Sequence, residues 1–248
     1  MPERPVAIIT GAGSGIGRAV AVELARRGWR LALAGRRAAP LSETGALLDG
    51  SEPDAWIAVT GDVGEASGCE RLAQTADERF GRIDAVINNA GYAPLVPMGE
   101  IDGETIEQIF RVNTLGPLHL VRASWNALSR AQTPRVVSVS SMASRDPFPG
   151  LGVYGGAKAS LNLLASAWTT EGESIGLKAF SVAPGAVETA MLRGVVSKED
   201  YPTENCMTPE HVAGVIVACV TGERDSDAGK TIFLPGPGQG EVVDAPGS

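Results

Sequence analysis

Val6-Ala7-Ile8-Ile9-Thr10-Gly11-Ala12-Gly13-Ser14-Gly15-Ile16-Gly17 runs from an apolar, β-rich stretch straight into closely spaced glycines. Val6–Thr10 reads as a short strand that ends at Gly11. From Ser14 to Gly28, the apolar residues Ile16, Val20 and Leu24 recur at helical spacing, and Gly28 supplies a stop. Glycine lets the backbone turn sharply and approach a ligand with no Cβ in the way. The helix that follows aims its unbonded N–H groups and positive dipole end at the same point, which suits a pyrophosphate. A lone glycine-rich stretch fits an ordinary βα turn equally well. Here the strand before it and the helix after it favour a nucleotide cradle.

The same alternation continues outward. Leu31–Ala34, Trp56–Val59, Ala85–Asn88, Val136–Ser140, Ala179–Val182 and Ile232–Leu234 read as further strands. Helical patterns fall near Ala66–Arg79, Glu104–Ala131, Leu161–Glu173 and Pro209–Thr221. Repeated β-then-α order implies parallel strands joined by right-handed crossovers, and continuous apolar runs imply strands buried on both faces. The expected fold is therefore α/β: a single-domain, Rossmann-like, doubly wound parallel sheet over residues 1–248, with helices on both faces. No linker or internal repeat interrupts it, and the Gly/Pro-rich tail 235–248 reads as irregular.

The chain has 248 residues, 44% of them hydrophobic and 20% charged, enough to bury a sizeable core. Its formal charge of −8 argues against nucleic acid or an anionic membrane as partner. Cys69, Cys206 and Cys219 have neither metal-ligand spacing nor an even count, which points to a reducing compartment. With only His119 and His211 besides, no metal site is expected. After the charged start, Met1–Pro5, the apolar run Val6–Ile9 is too short for a signal sequence or a membrane span. A soluble, cytoplasmic protein is expected.

Three residues separate Gly11 from Gly15, and Gly17 follows. This TGxxxGxG form resembles the short-chain dehydrogenase/reductase family, whose motifs can be sought at distant positions. Tyr154-Gly155-Gly156-Ala157-Lys158 puts a phenol and an ammonium four residues apart. On a helix they share a face, and the cation is expected to lower the phenol's pKa from about 10, making it usable as a general acid/base. Taken alone, such a pair fits a solvated helix face. Ser140-Ser141 ends a strand, with Ser141 thirteen residues before Tyr154. The family's catalytic serine stands at that spacing, which selects Ser141, while Ser140 is expected to face the other way.

Asn113, within Val112-Asn113-Thr114, resembles the family's fourth catalytic position, where an Asn holds a water-linked proton relay. Read on its own it is a helix-surface amide. Asn88-Asn89-Ala90-Gly91 resembles the family's NNAG motif, though Asn and Gly also make simple turns. Pro184-Gly185-Ala186-Val187-Glu188-Thr189 resembles the stretch that holds the nicotinamide amide, and Asp62-Val63 the pair bordering the adenine. The resemblance spans residues 6–234 and implies catalytic Asn113, Ser141, Tyr154 and Lys158. It implies cofactor contacts from Gly11, Ser14, Gly15, Ile16, Gly17, Asp62, Val63, Asn89, Ala90, Gly91, Tyr154, Lys158, Pro184, Gly185, Val187 and Thr189. Two departures stand out. Gly155-Gly156 replaces larger residues and is expected to loosen its helix start, and Phe233-Leu234-Pro235-Gly236 lacks the family's DGG ending.

The implied activity is hydride transfer between a nicotinamide dinucleotide and a carbonyl or secondary-alcohol substrate. Tyr154 is the acid/base, Ser141 the hydrogen-bond donor to the reacting oxygen, and Lys158 the ribose anchor. NADP(H) is favoured, with NAD(H) possible. No acid lies between Leu31 and Ser42, and Arg36-Arg37 follows the second strand, where guanidinium groups can fork onto a 2′-phosphate. Solvated arginines opening a helix are the plainer alternative. Tyr92, Leu95, Met98, Met142, Phe148, Leu151, Met191, Leu192 and Tyr201 are expected to wall a mostly apolar substrate pocket, with residues 189–208 as a mobile lid. Apolar residues on two helical segments (Ile109, Leu120, Trp125, Leu163, Leu164 and Trp168) lead to an expected homo-oligomer, a tetramer before a dimer, by resemblance. The rival reading is a non-catalytic dinucleotide-binding sensor or scaffold of the same fold.

Overall fold

The computed structural model describes residues 4–48 and 54–244. The chain winds β1 (Val6–Thr10), α1 (Gly15–Arg26), β2 (Arg30–Gly35), α2 (Ala38–Ala46), β3 (Trp56–Thr60), α3 (Ala66–Phe80) and β4 (Ala85–Asn88). There follow α4 (Gly103–Phe110), α5 (Gly116–Leu128), β5 (Arg135–Val139), α6 (Gly152–Glu171), β6 (Lys178–Pro184), α7 (Ala190–Arg193), α8 (Pro209–Thr221), β7 (Thr231–Leu234) and β8 (Val242–Asp244). The sheet order is β3-β2-β1-β4-β5-β6-β7-β8. β1 to β7 pair in parallel, and β8 pairs antiparallel to β7.

Side chains alternate along each strand, so each inner strand feeds two cores. Ala7 and Ile9 of β1 join Leu31 and Leu33 under α1 and α8, with Val20, Leu24, Val212 and Ile216. Val6 and Ile8 join Ala32 and Val86 under α3, α5 and α6, with Leu72, Leu120, Leu128 and Trp168. The doubly wound architecture read from the apolar runs is therefore observed. β1 lies between β2 and β4, where strand order reverses, and a crevice opens beyond the carboxyl ends of the strands at that point.

Several local expectations are refined. The tail is not wholly irregular, because Val242–Asp244 covers the free edge of β7, held by Arg145–Asp244 and Arg224–Glu241 ion pairs; residues 245–248 lie outside the described residues. The helix expected over Glu104–Ala131 is broken by a π-helical turn, Arg111–Leu115, between α4 and α5. The helix expected from Leu161 begins at Gly152, so it carries Tyr154 and Lys158. Gly155 has a packing role there as well: α6 meets the turn after β5 at this residue, and a Cβ would strike the Ala143 carbonyl oxygen, whereas Gly156 faces open space. Of the apolar residues assigned to an outer face, Ile109, Leu120 and Trp168 are buried within the subunit, and Trp125 and Leu164 pack against its core. Leu163 stays 64% exposed, near-level with no other of the six.

Candidate active site

One cleft of about 780 Å³ runs along the carboxyl ends of β1, β2, β4, β5 and β6. Its first end is made of backbone. Gly11 and Gly15 sit at φ +66° and +52°, conformations that a side chain would strain. A Cβ on Gly17 would collide with the Gly11 carbonyl, so this glycine, buried and outside the cleft lining, lets α1 pack against the loop. Asn89 Nδ2 donates to the carbonyls of Thr10 (2.8 Å) and Gly11 (3.3 Å), Thr44 Oγ1 to that of Ala12 (2.9 Å), and Arg18 to that of Gly13 (2.5 Å). These bonds, with the Ala12 amide donating to the Ala34 carbonyl (3.1 Å), fix the shape of the loop. Ser14 precedes α1 without capping it, so no side chain of its own competes for the first-turn amides. This cradle fits a pyrophosphate.

Farther along, Arg36 and Arg37 line the cleft just past β2, and neither has an ion-pair partner among the described residues. Both are exposed, and Arg37 stands immediately before α2 without capping it. Asp62 and Val63 line the same end, Asp62 accepting from the Gly64 amide (2.8 Å). Ala90 and Gly91 continue the wall, and Thr10 Oγ1 fixes it by accepting from the Asn89 and Ala90 amides (2.9 and 3.0 Å). Ser14, Ile16, Pro184, Gly185, Val187 and Thr189 complete it.

Ser141, Tyr154 and Lys158 line the middle of the cleft. Tyr154 and Lys158 share a face of α6, and Lys158 Nζ lies 5.9 Å from the phenol ring centre. Burial pushes the Tyr154 phenol up to about 12, against the opposing hydrogen bond from Ser141. Burial also pushes the Lys158 ammonium down to about 7, while its Nζ donates to the Val139 carbonyl (2.7 Å). The expected lowering of the phenol by its neighbouring cation is thus not what this geometry gives: desolvation outweighs a cation that is itself desolvated. Ser140 is buried and its Oγ donates to the Lys158 carbonyl (3.0 Å), so Ser141 is the serine that meets Tyr154. Asn113 does not line the cleft. Fully buried in the π-helical turn, it donates to the carbonyls of Tyr92 (2.7 Å) and Ile109 (2.8 Å) and accepts from the Tyr92 amide (3.2 Å). It lies close to Lys158, since a Cβ on Gly91 would stand 3.2 Å from its Oδ1 and 3.8 Å from Lys158 Nζ.

The second end of the cleft is made of side chains from separate loops. Tyr92, Leu95, Met142, Phe148, Leu151, Met191, Leu192 and Tyr201 all line it, whereas Met98 is 73% exposed and lies outside. Residues 189–206 are gathered around Arg193. Its guanidinium pairs with Glu188 and donates to the carbonyls of Ser197 (3.0 Å) and Tyr201 (2.8 Å) and to Cys206 Sγ (3.6 Å). That hydrogen-bonded pairing holds the Glu188 carboxyl down at about 2. Thr189 caps α7 by accepting from the Leu192 amide (3.2 Å). The bracing roles of Arg193 and of the Thr10 hydroxyl escaped the sequence reading, whereas α2 begins at Ala38, directly after Arg36-Arg37, where the plainer reading of those arginines put a helix.

The three cysteines are free and buried, and no group of His, Cys, Asp or Glu gathers to hold a metal among the described residues. No described helix is long and apolar enough to cross a membrane. The short chain dehydrogenase family model matches residues 5–200. An uncharacterized oxidoreductase of Listeria innocua is 30% identical over 243 residues, covering 94% of this chain and 96% of its own. Versicolorin reductase 1 of Dothistroma septosporum is 30% identical, covering 84% and 78%. A solved short chain dehydrogenase/reductase family protein superposes with a TM-score of 0.84 at 26% identity, covering 95% of this chain and 97% of that one.

Proposed function

The chain belongs to the short-chain dehydrogenase family of oxidoreductases, and from that premise we propose that it transfers hydride between NADP(H) and a mostly apolar carbonyl or secondary-alcohol substrate, with Tyr154 as the acid/base. The observation that carries this reading is the meeting of Ser141, Tyr154 and Lys158 midway between a pyrophosphate cradle and an apolar pocket. The family's nicotinamide dinucleotide supplies the hydride when bound. The loop from Gly11 to Ile16 would hold its phosphates, Arg36 and Arg37 a 2′-phosphate, Asp62 and Val63 the adenine, Asn89 to Gly91 and Lys158 the nearer ribose, and Pro184 to Thr189 the nicotinamide amide.

In the reducing direction, Ser141 donates a hydrogen bond to the carbonyl oxygen and stabilises its growing negative charge. Tyr154 keeps its proton at neutral pH and gives it to that same oxygen. The phenolate left behind is stabilised by the Lys158 ammonium across the shared helix face. A proton then returns to Tyr154 by way of Lys158, with Asn113 holding the backbone around that route. Residues 189–208 act as a lid that keeps water from the reacting atoms.

Tyr154→Phe keeps the ring and removes the transferable proton. Turnover should fall by roughly a thousandfold on any accepted ketone, within the usual range for a lost acid/base, while NADPH still quenches protein fluorescence on binding. Wild-type turnover by this variant would overturn the assignment; failure of the parent protein to oxidise NADPH or NADH with any ketone would favour the sensor or scaffold reading. We also propose a homo-oligomer, a tetramer before a dimer, buried through Phe110, Leu115 and Leu163, which are 39%, 42% and 64% exposed. Light scattering at micromolar concentration should show more than the monomer mass, and a monomer alone refutes it.

A further inference from the structure

We propose that the substrate end of the cleft selects carbonyl compounds with a hydroxyl or ammonium donor on the far side of an apolar body, and rejects anionic ones, with Asp146 as the specificity-determining residue. This rests on the oxidoreductase reading above. Asp146 lines the cleft together with Tyr92, Leu95, Met142, Phe148 and Met191. It sits on the turn that follows Ser141, so its distance from the reacting oxygen is governed by how firmly that turn is held.

The turn is braced at every step. The Ala143 amide donates to Ser141 Oγ (3.1 Å), Ser144 Oγ to the Ser141 carbonyl (2.6 Å), and the Asp146 amide to the Met142 carbonyl (2.9 Å). Asn162 of α6 donates to Ser144 Oγ (2.9 Å), and Ser181 of β6 donates to Asn162 Oδ1 (2.8 Å). The turn is therefore fastened to both the helix that carries Tyr154 and the neighbouring strand. Asp146 has no ion-pair partner among the described residues. The adjacent Arg145 is engaged elsewhere, with Asp244 (3.0 Å) and over the Phe233 ring (5.1 Å).

The other ionisable groups facing the cleft leave this carboxylate unopposed. Arg36 and Arg37 stand past β2 at the other end, and Lys158 is bound to the Val139 carbonyl. Arg193, on the lid but not among the residues that line the cleft, is paired with Glu188. A ligand that covers Asp146 removes water from a carboxylate, which is costly unless the ligand returns a donor. A ligand anion meets direct repulsion instead, added to the field of a chain with a formal charge of −8. A hydroxyl or ammonium supplies the missing donor, and an ammonium adds attraction.

The test is a matched set of aryl methyl ketones bearing a para aminomethyl, hydroxymethyl, methyl or carboxylate group, reduced with saturating NADPH by the wild type and by Asp146→Asn and Asp146→Lys. In the wild type, kcat/KM should fall in that order. Asp146→Asn should shrink the aminomethyl-to-carboxylate ratio by about tenfold, the worth of one charge-assisted contact, and Asp146→Lys should invert it. A flat wild-type series, a preference for the carboxylate, or a ratio unmoved by either variant overturns the inference while leaving the oxidoreductase reading standing. Silence toward every ketone with NADPH and NADH overturns both at once.

Discussion

At the cofactor end of the cleft the shape comes from the main chain: positive-φ glycines and carbonyls held by Asn89, Thr44 and Arg18. At the substrate end it comes from side chains on three loops outside the named strands, each held by its own contacts, one of them around Arg193 and another through Ser144 and Asn162. A main-chain cradle admits few sequences, because only glycine takes those dihedrals without strain. A side-chain wall admits many, because any apolar residue of suitable size fills it. The first end is therefore suited to one unvarying ligand and the second to a ligand that differs from protein to protein.

The division can be broken most sharply at the cofactor end. Replacing both Arg36 and Arg37 with Ala should weaken NADPH binding by about tenfold to a hundredfold, the worth of charge-assisted hydrogen bonds to a phosphate. NADH binding should change little, because it offers no 2′-phosphate. Titration calorimetry with both cofactors checks this, and an unchanged NADPH-to-NADH ratio would remove these arginines from cofactor choice.

At the other end, Arg193→Met should loosen the lid. An expected drop of about tenfold in kcat/KM for a ketone corresponds to roughly 1.4 kcal/mol, with KM carrying most of it. NADPH affinity should stay within the error of the titration. Equal losses in both ligands would show that the two ends are one unit, since Thr189 stands beside Gly15.

An effect on stability, not on binding or turnover, lies between them, at Lys158. Its pKa is depressed from 10.5 to about 7 in the folded chain, so between these values the unfolded chain binds a proton that the folded chain does not. Stability from this group therefore rises with pH across that window and is lowest below pH 7. Denaturant titrations of the wild type and Lys158→Met should diverge with pH. From pH 7 to 9, the wild type should gain at most about 1.4 kcal/mol per pH unit relative to the variant. Parallel curves would mean that Lys158 keeps its ordinary pKa in its buried setting.

Glycine spacing and unbroken apolar runs made the sheet and the cradle legible from sequence, because both signals are local. Tyr154 and Lys158 were legible for the same reason, being one helical turn apart. Asp146 was not, since nothing near it in sequence distinguishes a cleft-facing carboxylate from a solvated one. The buried setting of Tyr154 and Lys158 was equally hidden, as it depends on β5 and α6 closing together, and it reversed the expected direction of the phenol's pKa. The π-helical turn was not legible either, because one added residue breaks the apolar period at a single point and leaves a regular helical period on each side.

That turn has an evolutionary consequence. Arg111–Leu115 holds one residue more than an α-helix would need, and each residue of a helix turns the chain by about 100°. Loss of a single codon there would fuse α4 and α5 into one regular helix. It would swing Asn113 away from Tyr92 and bring a different residue to the place of Gly116, where any Cβ would press on the Val63 carbonyl at 2.7 Å. A lineage could thus exchange most side chains around this site one at a time, yet a one-residue deletion in this stretch would disrupt the site in a single step.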